Sequence, residues 1–254
     1  MFAEERRRKI LDILKARGKV RVSDLSKRFG VSSVTIRKDL EYLESTGALV
    51  RTHGGAVLPD HSRSEWHFLK KIHQKEDEKN RIALKAMEYV KEGDTIILDS
   101  SSTTYYIALL IKEGGVKHLT VVTNNIFIAK ELIDTGLDLV VLGGNIRENS
   151  LSLVGPWTMN FLREINVDKA FMGTTGFSKD KGFMTPSLVE AEVKREMINS
   201  SDEVFIVTDS TKFSRIAFAT FAMPEDVDYV ITDTDIPQDC EEFLEEREVK
   251  VIKV

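Results

Sequence analysis

The sequence predicts two folds in one chain: a winged helix-turn-helix of α+β class, joined to a larger α/β domain with a mainly parallel sheet. Three observations predict it. Residues 1–58 carry 13 Lys and Arg against 7 Asp and Glu, whereas the remainder carries 23 against 34. A small basic head on an acidic body points to a phosphate-facing module attached to something else. Second, two short helical patterns meet at a turn containing Gly30, the geometry of a helix-turn-helix. Third, from Glu76 onward near-continuous Val/Ile/Leu runs alternate with helical ones, as in a parallel sheet covered on both faces. The 254 residues therefore divide into a head (1–58), a linker (59–75) and a body (76–254).

In the head, residues 3–16 read as a helix with Ile10, Leu11, Ile13 and Leu14 on its apolar side. Arg6, Arg7, Arg8 and Lys9 make its start basic, where a first helix touches a DNA backbone or is simply solvated. Gly18 ends it, residues 19–22 form an extended link, and Ser23 is the expected cap of a second helix running to Phe29. Ser32 or Ser33 then caps a helix through Leu43, with Val34, Ile36, Leu40 and Leu43 as its apolar face. Its polar face presents Ser33, Thr35, Arg37, Lys38 and Glu41, hydroxyls and cations of the kind that phosphates and base edges accept. Two extended pieces around Gly54-Gly55 make a hairpin wing, with Arg51 and His53 at its tip.

Residues 59–75 lack periodicity. His61, His67 and His73 recur every six residues, a spacing that aligns on no helix face, so no metal site is expected. No cofactor motif stands out. One cysteine, Cys240, leaves no internal disulfide, and no apolar run approaches the roughly 20 residues of a membrane span. A cytoplasmic protein without membrane contact is expected.

Ligands of parallel sheets bind outside the carboxyl ends of the strands, so the residues there are the candidates. Asp99-Ser100-Ser101-Ser102-Thr103-Thr104 follows the first strand and leads into a helix; consecutive hydroxyls at a helix start wrap an anion, although ordinary capping needs only one. Asn124 follows the next strand, and Gly143-Gly144 with Arg147 the third. Thr174 follows the fourth in a run that matches neither a dinucleotide fingerprint nor a P-loop. Ser187 to Glu190 reads as a capping box, and Glu190 with Lys194 as a stabilising helix pair. Lys212 stands at the end of the fifth strand.

Several runs resemble the DeoR family of bacterial transcription regulators. In the head they are Val31-Ser-Ser-Val-Thr-Ile-Arg-Lys-Asp-Leu-Glu-Tyr-Leu43 and Arg51-Thr-His-Gly-Gly-Ala56. In the body they are Asp99-Ser-Ser-Ser-Thr-Thr104, Thr123-Asn124, Phe171-Met-Gly-Thr-Thr-Gly176, Glu190-Ala-Glu-Val-Lys194 and Asp209-Ser-Thr-Lys-Phe213. The resemblance implies a body similar in fold to ribose-5-phosphate isomerase that senses a sugar phosphate or related metabolite. It implies double-stranded operator DNA as a partner of the head; because one helix-turn-helix reads a short half-site, a homo-oligomer, dimer or tetramer, is expected. One departure is Ser101, where the family usually has Gly; a side chain there narrows the approach of the loop backbone to an anion.

Two other readings stay open at this point. An isomerase would use Asp99, Glu190 and Lys212 as base and electrostatic stabiliser, although it has no use for a basic head. A DNA-binding protein whose body only oligomerises has no use for the hydroxyl-rich loop.

Overall fold

The computed structural model describes residues 3–45, 48–52, 54–57, 68, 71–114 and 116–254. The chain falls into two units, Met1–His67 and Phe68–Val254. The first contains α1 (Ala3–Arg17), β1 (Lys19–Arg21), α2 (Val22–Phe29), α3 (Ser33–Ser45), β2 (Val50–Thr52) and β3 (Gly55–Val57).

Its core is Ile10 and Leu14 of α1, Val22 and Leu25 of α2, and Ile36, Leu40 and Leu43 of α3. Gly30 closes α2 with φ 64°, a left-handed turn that costs glycine nothing. The wing has three strands, in the order β1-β3-β2. The segment expected as a link, residues 19–21, is its edge strand, paired antiparallel with β3. Gly55 permits that pairing, because a Cβ there would stand 1.8 Å from the Val20 carbonyl oxygen.

Two local expectations give way. Helix α2 starts at Val22 rather than after Ser23, because the Val22 N–H is already engaged by the Gly54 carbonyl at 2.9 Å. Val34 is exposed, not part of the apolar face. It lies two residues before Ile36, and two steps of about 100° carry it to the far side of the helix.

The second unit contains β4 (Thr95–Leu98), β5 (Thr120–Thr123), β6 (Asp138–Val141), β7 (Asn145–Arg147), β8 (Ser152–Val154), β9 (Val167–Met172), β10 (Gly176–Ser178), β11 (Gly182–Thr185), β12 (Ser201–Val207), β13 (Ala219–Ala222), β14 (Tyr229–Thr232) and β15 (Lys250–Lys253). Its helices are α4 (Glu76–Met87), α5 (Ser102–Glu113), α6 (Ile126–Leu132), α7 (Pro156–Leu162), α8 (Leu188–Asn199) and α9 (Gln238–Glu245). Seven strands form one sheet, in the order β15-β14-β12-β9-β4-β5-β6, and every pairing in it is parallel.

Alternation sorts the strand residues onto its two faces. Ile97, Val122, Ala170, Val204 and Ile206 join the core beneath α7, α8 and α9. Ile96, Leu98, Val121, Phe171, Phe205 and Val207 join the core beneath α4, α5 and α6. Both faces are buried, which is why these strands read as unbroken apolar runs. Phe68 and Ile72 belong to the second of these cores. Phe68 and Ile72, within the stretch read as linker from the sequence, thus pack into the body.

From β4 the chain crosses to β5 on one side and later to β9 on the other. The loops leaving β4 and β9 therefore diverge and open a crevice above the sheet. Two small antiparallel sheets, β7-β8 and β10-β11-β13, flank it.

Candidate functional site

In the first unit the candidate is the outer face of α3. Ser32 caps this helix, its Oγ accepting the Thr35 N–H at 3.1 Å. The Thr35 hydroxyl is half-buried and lies 2.9 Å from Ser32 Oγ, so capping occupies part of its capacity. Ser33, Arg37 and Lys38 are exposed, and neither cation forms an ion pair among the described residues. Arg51 stands within β2, not at the wing tip, facing Glu41 and Glu44 of α3 with nitrogens 3.8 Å from their oxygens. His53 lies outside the described residues.

The basic start of α1 serves packing. Arg6 is buried and donates from Nε and Nη2 to Asp39 of α3 at 2.5 and 3.2 Å. Arg7 donates to the same carboxylate at 3.1 Å and stacks 3.8 Å over the Tyr42 ring. These two arginines clamp α1 to α3 rather than stand free for a phosphate.

In the second unit a cleft of about 490 Å³ opens above the carboxyl ends of β4, β9 and β12. It is lined by Ser100, Ser101, Ser102 and Thr103 at the start of α5, by Thr174, and by Arg147, Glu190, Lys194 and Lys212. The wall also includes Asp209 and Thr211, from the run that resembles the family, and Lys71, Lys75, Lys79 and Arg215, for which the sequence reading had no role. Lys71, Lys75 and Lys79 recur every four residues, a spacing visible in the sequence, although they share no helix: Lys75 has φ 57° in the turn that precedes α4. Seven cations and two carboxylates thus line one cleft. Lys194, Arg147 and Lys212 pair with Asp99, Glu190 and Asp209, and the remaining excess of positive charge favours an anion.

Asp99 and Thr104 stand behind the lining. Asp99 is 1% exposed. Its Oδ1 accepts the Ser101 N–H at 2.9 Å and the Thr104 hydroxyl at 3.1 Å. Its Oδ2 accepts the Gly173 N–H at 2.9 Å and pairs with Lys194. One carboxylate thus ties the start of α5 to the end of β9 and to α8. Lys194 also donates to the Gly173 carbonyl at 2.9 Å. Its partner is Asp99 and not Glu190. Glu190 instead accepts the Thr185 hydroxyl at 3.1 Å and Arg147 at 3.4 Å. Ser187 makes no capping bond, so no capping box forms there.

Ser101 caps α5, its Oγ accepting the Thr104 N–H at 3.1 Å. Its Cβ presses on Gly173, where a side chain would come within 2.3 Å of it. The serine at this position is therefore held by the neighbouring loop. Asn124, Gly143 and Gly144 do not reach the cleft. Asn124 donates to the Leu153 carbonyl at 3.0 Å, and the Gly143 carbonyl accepts the Thr158 hydroxyl at 2.6 Å. Gly144 has φ 151° and no room for a Cβ beside Thr158 Oγ1. These residues fasten β7 and β8 to the body.

Burial depresses two of the lysines. The Lys79 ammonium is pushed down to about 8, mainly by desolvation; it donates to the carbonyls of Gln74 at 2.5 Å and of Lys71. Burial also lowers Lys71. Burial raises Asp209, but the Thr211 hydroxyl and Lys212 outweigh it and hold the carboxyl below its usual range. Lys212 stands 3.0 Å from it.

Between about pH 8 and about 10.5 the unfolded chain binds the Lys79 proton more tightly, so this group's contribution to stability rises with pH in that window. An anion beside it restores the charged form. Sulfate binding at pH 8.5 is therefore expected to take up a fraction of a proton, and its affinity to fall as pH rises through 8–9. Calorimetry in two buffers of different ionisation enthalpy checks this, with Lys79→Arg as control. Heats independent of buffer would refute it.

Comparison with known proteins agrees with the division of the chain. Residues 6–62 match the DeoR-like helix-turn-helix domain, and residues 74–234 the DeoR C-terminal sensor domain. An uncharacterised HTH-type transcriptional regulator of Bacillus subtilis is 38% identical, over all of this chain and 98% of its own length. A putative aga operon transcriptional repressor of Escherichia coli O157:H7 is 35% identical over 98% and 93%. The glycerol-3-phosphate regulon repressor of Escherichia coli K12 is 30% identical over 99% of both chains. Among solved structures, ribose 5-phosphate isomerase A of Methanocaldococcus jannaschii is similar to 55% of the chain, and 55% of its own, at TM-score 0.40 and 18% identity, too distant to add to the assignment. Among the described residues no helix is long and apolar enough to cross a membrane. The two matched domains together span most of the chain: it belongs to the DeoR family of transcription regulators.

Proposed function

We propose that the protein is a cytoplasmic repressor of a sugar catabolic operon, released from or held on its operator by a phosphorylated sugar or polyol bound in the cleft of the second unit. The excess of cations around a cleft floored by the hydroxyl-rich start of α5 carries this reading. A dianionic phosphate fits the charge, and hydroxyls, carboxylate and amide groups along the walls fit a polyhydroxyl body. Two relatives are named for a glycerol-3-phosphate regulon and an aga operon, which agrees with a small phosphorylated or carbohydrate effector. Ser33, Thr35, Arg37 and Lys38 face the operator, and Arg51 and His53 its backbone. A single helix-turn-helix reads a short half-site, so the working form is a dimer or tetramer.

The test is a panel of sugar phosphates in thermal-shift and operator-release assays. An effector at 100 times its dissociation constant stabilises the folded protein by about 2.7 kcal/mol. A panel in which nothing shifts the transition or changes operator affinity sinks the effector reading, and leaves a body that only oligomerises. For the head, Arg37→Ala is expected to weaken operator binding by roughly 1–3 kcal/mol while leaving random DNA less affected. Equal losses on both, measured by fluorescence anisotropy, would make Arg37 a phosphate contact.

A further inference from the structure

Residues 71–79 form a strap along one wall of the cleft, where Lys71, Gln74, Lys75 and Lys79 line it. The strap is tied to the second unit at two places. Ile72 is buried in the same core as Phe68, and the Tyr106 hydroxyl of α5 donates to the Ile72 carbonyl at 3.1 Å. Lys79 is 3% exposed, and its ammonium donates to three carbonyls of the strap: that of Lys71, that of Ile72 at 3.4 Å and that of Gln74 at 2.5 Å. Among the described residues it pairs with no carboxylate. A buried charge given over to backbone carbonyls holds the strap in one conformation, because any other leaves the ammonium without acceptors.

The pairing of the other charges singles out two side chains. Lys194, Arg147, Lys212 and Lys75 are matched by Asp99, Glu190, Asp209 and Glu78. Among the described residues, Lys71 and Arg215 are matched by no carboxylate, and neither side chain donates a hydrogen bond. They stand on different walls. Lys71 is on the strap, and the Arg215 carbonyl packs on Gly176 of β10, where a Cβ would come within 2.3 Å of it. Lys71 is exposed as a whole, yet its ammonium end is desolvated in the cleft: burial lowers it most, Glu190 opposes that, and Arg147 and Lys212 add to it. The end of the side chain thus lies among groups from the facing walls.

Given a cleft that takes an anionic effector, as proposed for this protein, we infer that the anionic group is held between Lys71 on the strap and Arg215 on the wall beside β10, with Lys79 fixing the strap for that contact. The strap is then a binding element. Two cations on separate segments, neither neutralised within the protein, form charge-assisted hydrogen bonds to one ligand from two sides and tie those segments together. The strap also follows closely on the first unit, which ends at His67. An anion on Lys71 therefore acts on the stretch of chain by which the first unit is joined to the second. It biases that stretch by the difference in its affinity for the closed and open arrangements.

Sulfate titrated into the full chain, followed by calorimetry and hydrogen exchange, tests this. In wild type, sulfate is expected to slow exchange at the start of α5 and also at the Gln74 and Lys79 amides, which donate to the Lys71 and Lys75 carbonyls. Lys71→Ala and Arg215→Ala are each expected to weaken sulfate binding about 10-fold, the loss of one hydrogen bond to a charged group. Lys71→Arg restores most of the affinity, and Lys91→Ala, exposed and outside the cleft, leaves it at the wild-type value. Lys79→Met is expected to speed exchange across 71–79 without sulfate and to weaken sulfate binding. Tyr106→Phe, which removes only the bond to the Ile72 carbonyl, is the milder variant and is expected to move both in the same direction. Sulfate that fails to bind wild type removes the anion site and the role of the strap together. Sulfate that binds and protects the start of α5, with Lys71→Ala at wild-type affinity or with 71–79 unprotected, overturns the role of the strap alone.

Discussion

Asp99→Asn is expected to destabilise the second unit by about 3–5 kcal/mol, close to the effect of Asp99→Ala. The isosteric change fails because both carboxylate oxygens face donors. Oδ1 receives the Ser101 N–H and lies 3.1 Å from the Thr104 hydroxyl, whose one proton the Asp99 carbonyl shares. Oδ2 receives two, the Gly173 N–H and Lys194. An asparagine replaces one of these oxygens by an NH₂ group that faces donors, and removes the charge opposite an ammonium that is itself buried. Against a total of 5–15 kcal/mol for a typical domain, such a loss is a large share. Urea unfolding followed by circular dichroism measures it. Lys194→Met leaves the opposite charge buried and is expected to cost a similar amount, while the double variant costs less than the two together. A midpoint for Asp99→Asn within about 1 kcal/mol of wild type would contradict the role assigned to this carboxylate. Sulfate affinity gives a second readout, since the start of α5 is held against β9 through Asp99.

The parallel sheet was legible because both of its faces are buried. Runs such as Thr95–Leu98 and Tyr229–Thr232 have no polar alternation to confuse them with surface strands. The last strand, β15, carries no such signal: Lys250 and Lys253 bracket only two apolar residues, as an edge strand allows. The small antiparallel sheets are silent in the sequence for another reason. Their strands are three or four residues long, and β11 finds β13 more than thirty positions away, which no local pattern announces.

The candidate site was legible as a place but not as a set of roles. Residues at the strand ends were the right neighbourhood, but a hydroxyl or amide can point at a ligand or back at the chain. Thr104 and Asn124 point back, toward Asp99 and the Leu153 carbonyl. Lys71, Lys75 and Lys79 were hidden by their position ahead of the first strand, in a segment whose packing depends on Phe68 and Ile72 meeting a core built far downstream. Arg6 and Arg7 mislead for the same reason, since their carboxylate lies more than thirty residues away.

That carboxylate sets the second large effect. Asp39→Ala is expected to abolish measurable operator binding, although its side chain is turned away from the outer face of α3. Asp39 is 2% exposed and accepts three guanidinium N–H groups, two from Arg6 and one from Arg7. Removing it takes away the carboxylate to which buried Arg6 donates twice and Arg7 once, a loss of about 3–5 kcal/mol. A unit of some 60 residues buries too little apolar surface to absorb that, since domains this small are marginal to begin with. Helix α1 supplies Ile10 and Leu14 to the core shared with α3, so loosening the clamp opens that core as well. Hydrogen exchange is expected to show faster exchange across α1 and α3, with the strands of the second unit unchanged. Operator affinity measured by anisotropy is expected to fall at least 100-fold, more than for Arg37→Ala, because the whole reading surface is lost rather than one contact. Asp39→Asn separates the clamp from the fold: it keeps one acceptor oxygen and some packing, so an intermediate loss is expected. Wild-type affinity in Asp39→Ala would mean that α1 and α3 are held by their apolar contacts alone, and the basic start of α1 would again be available to the DNA backbone.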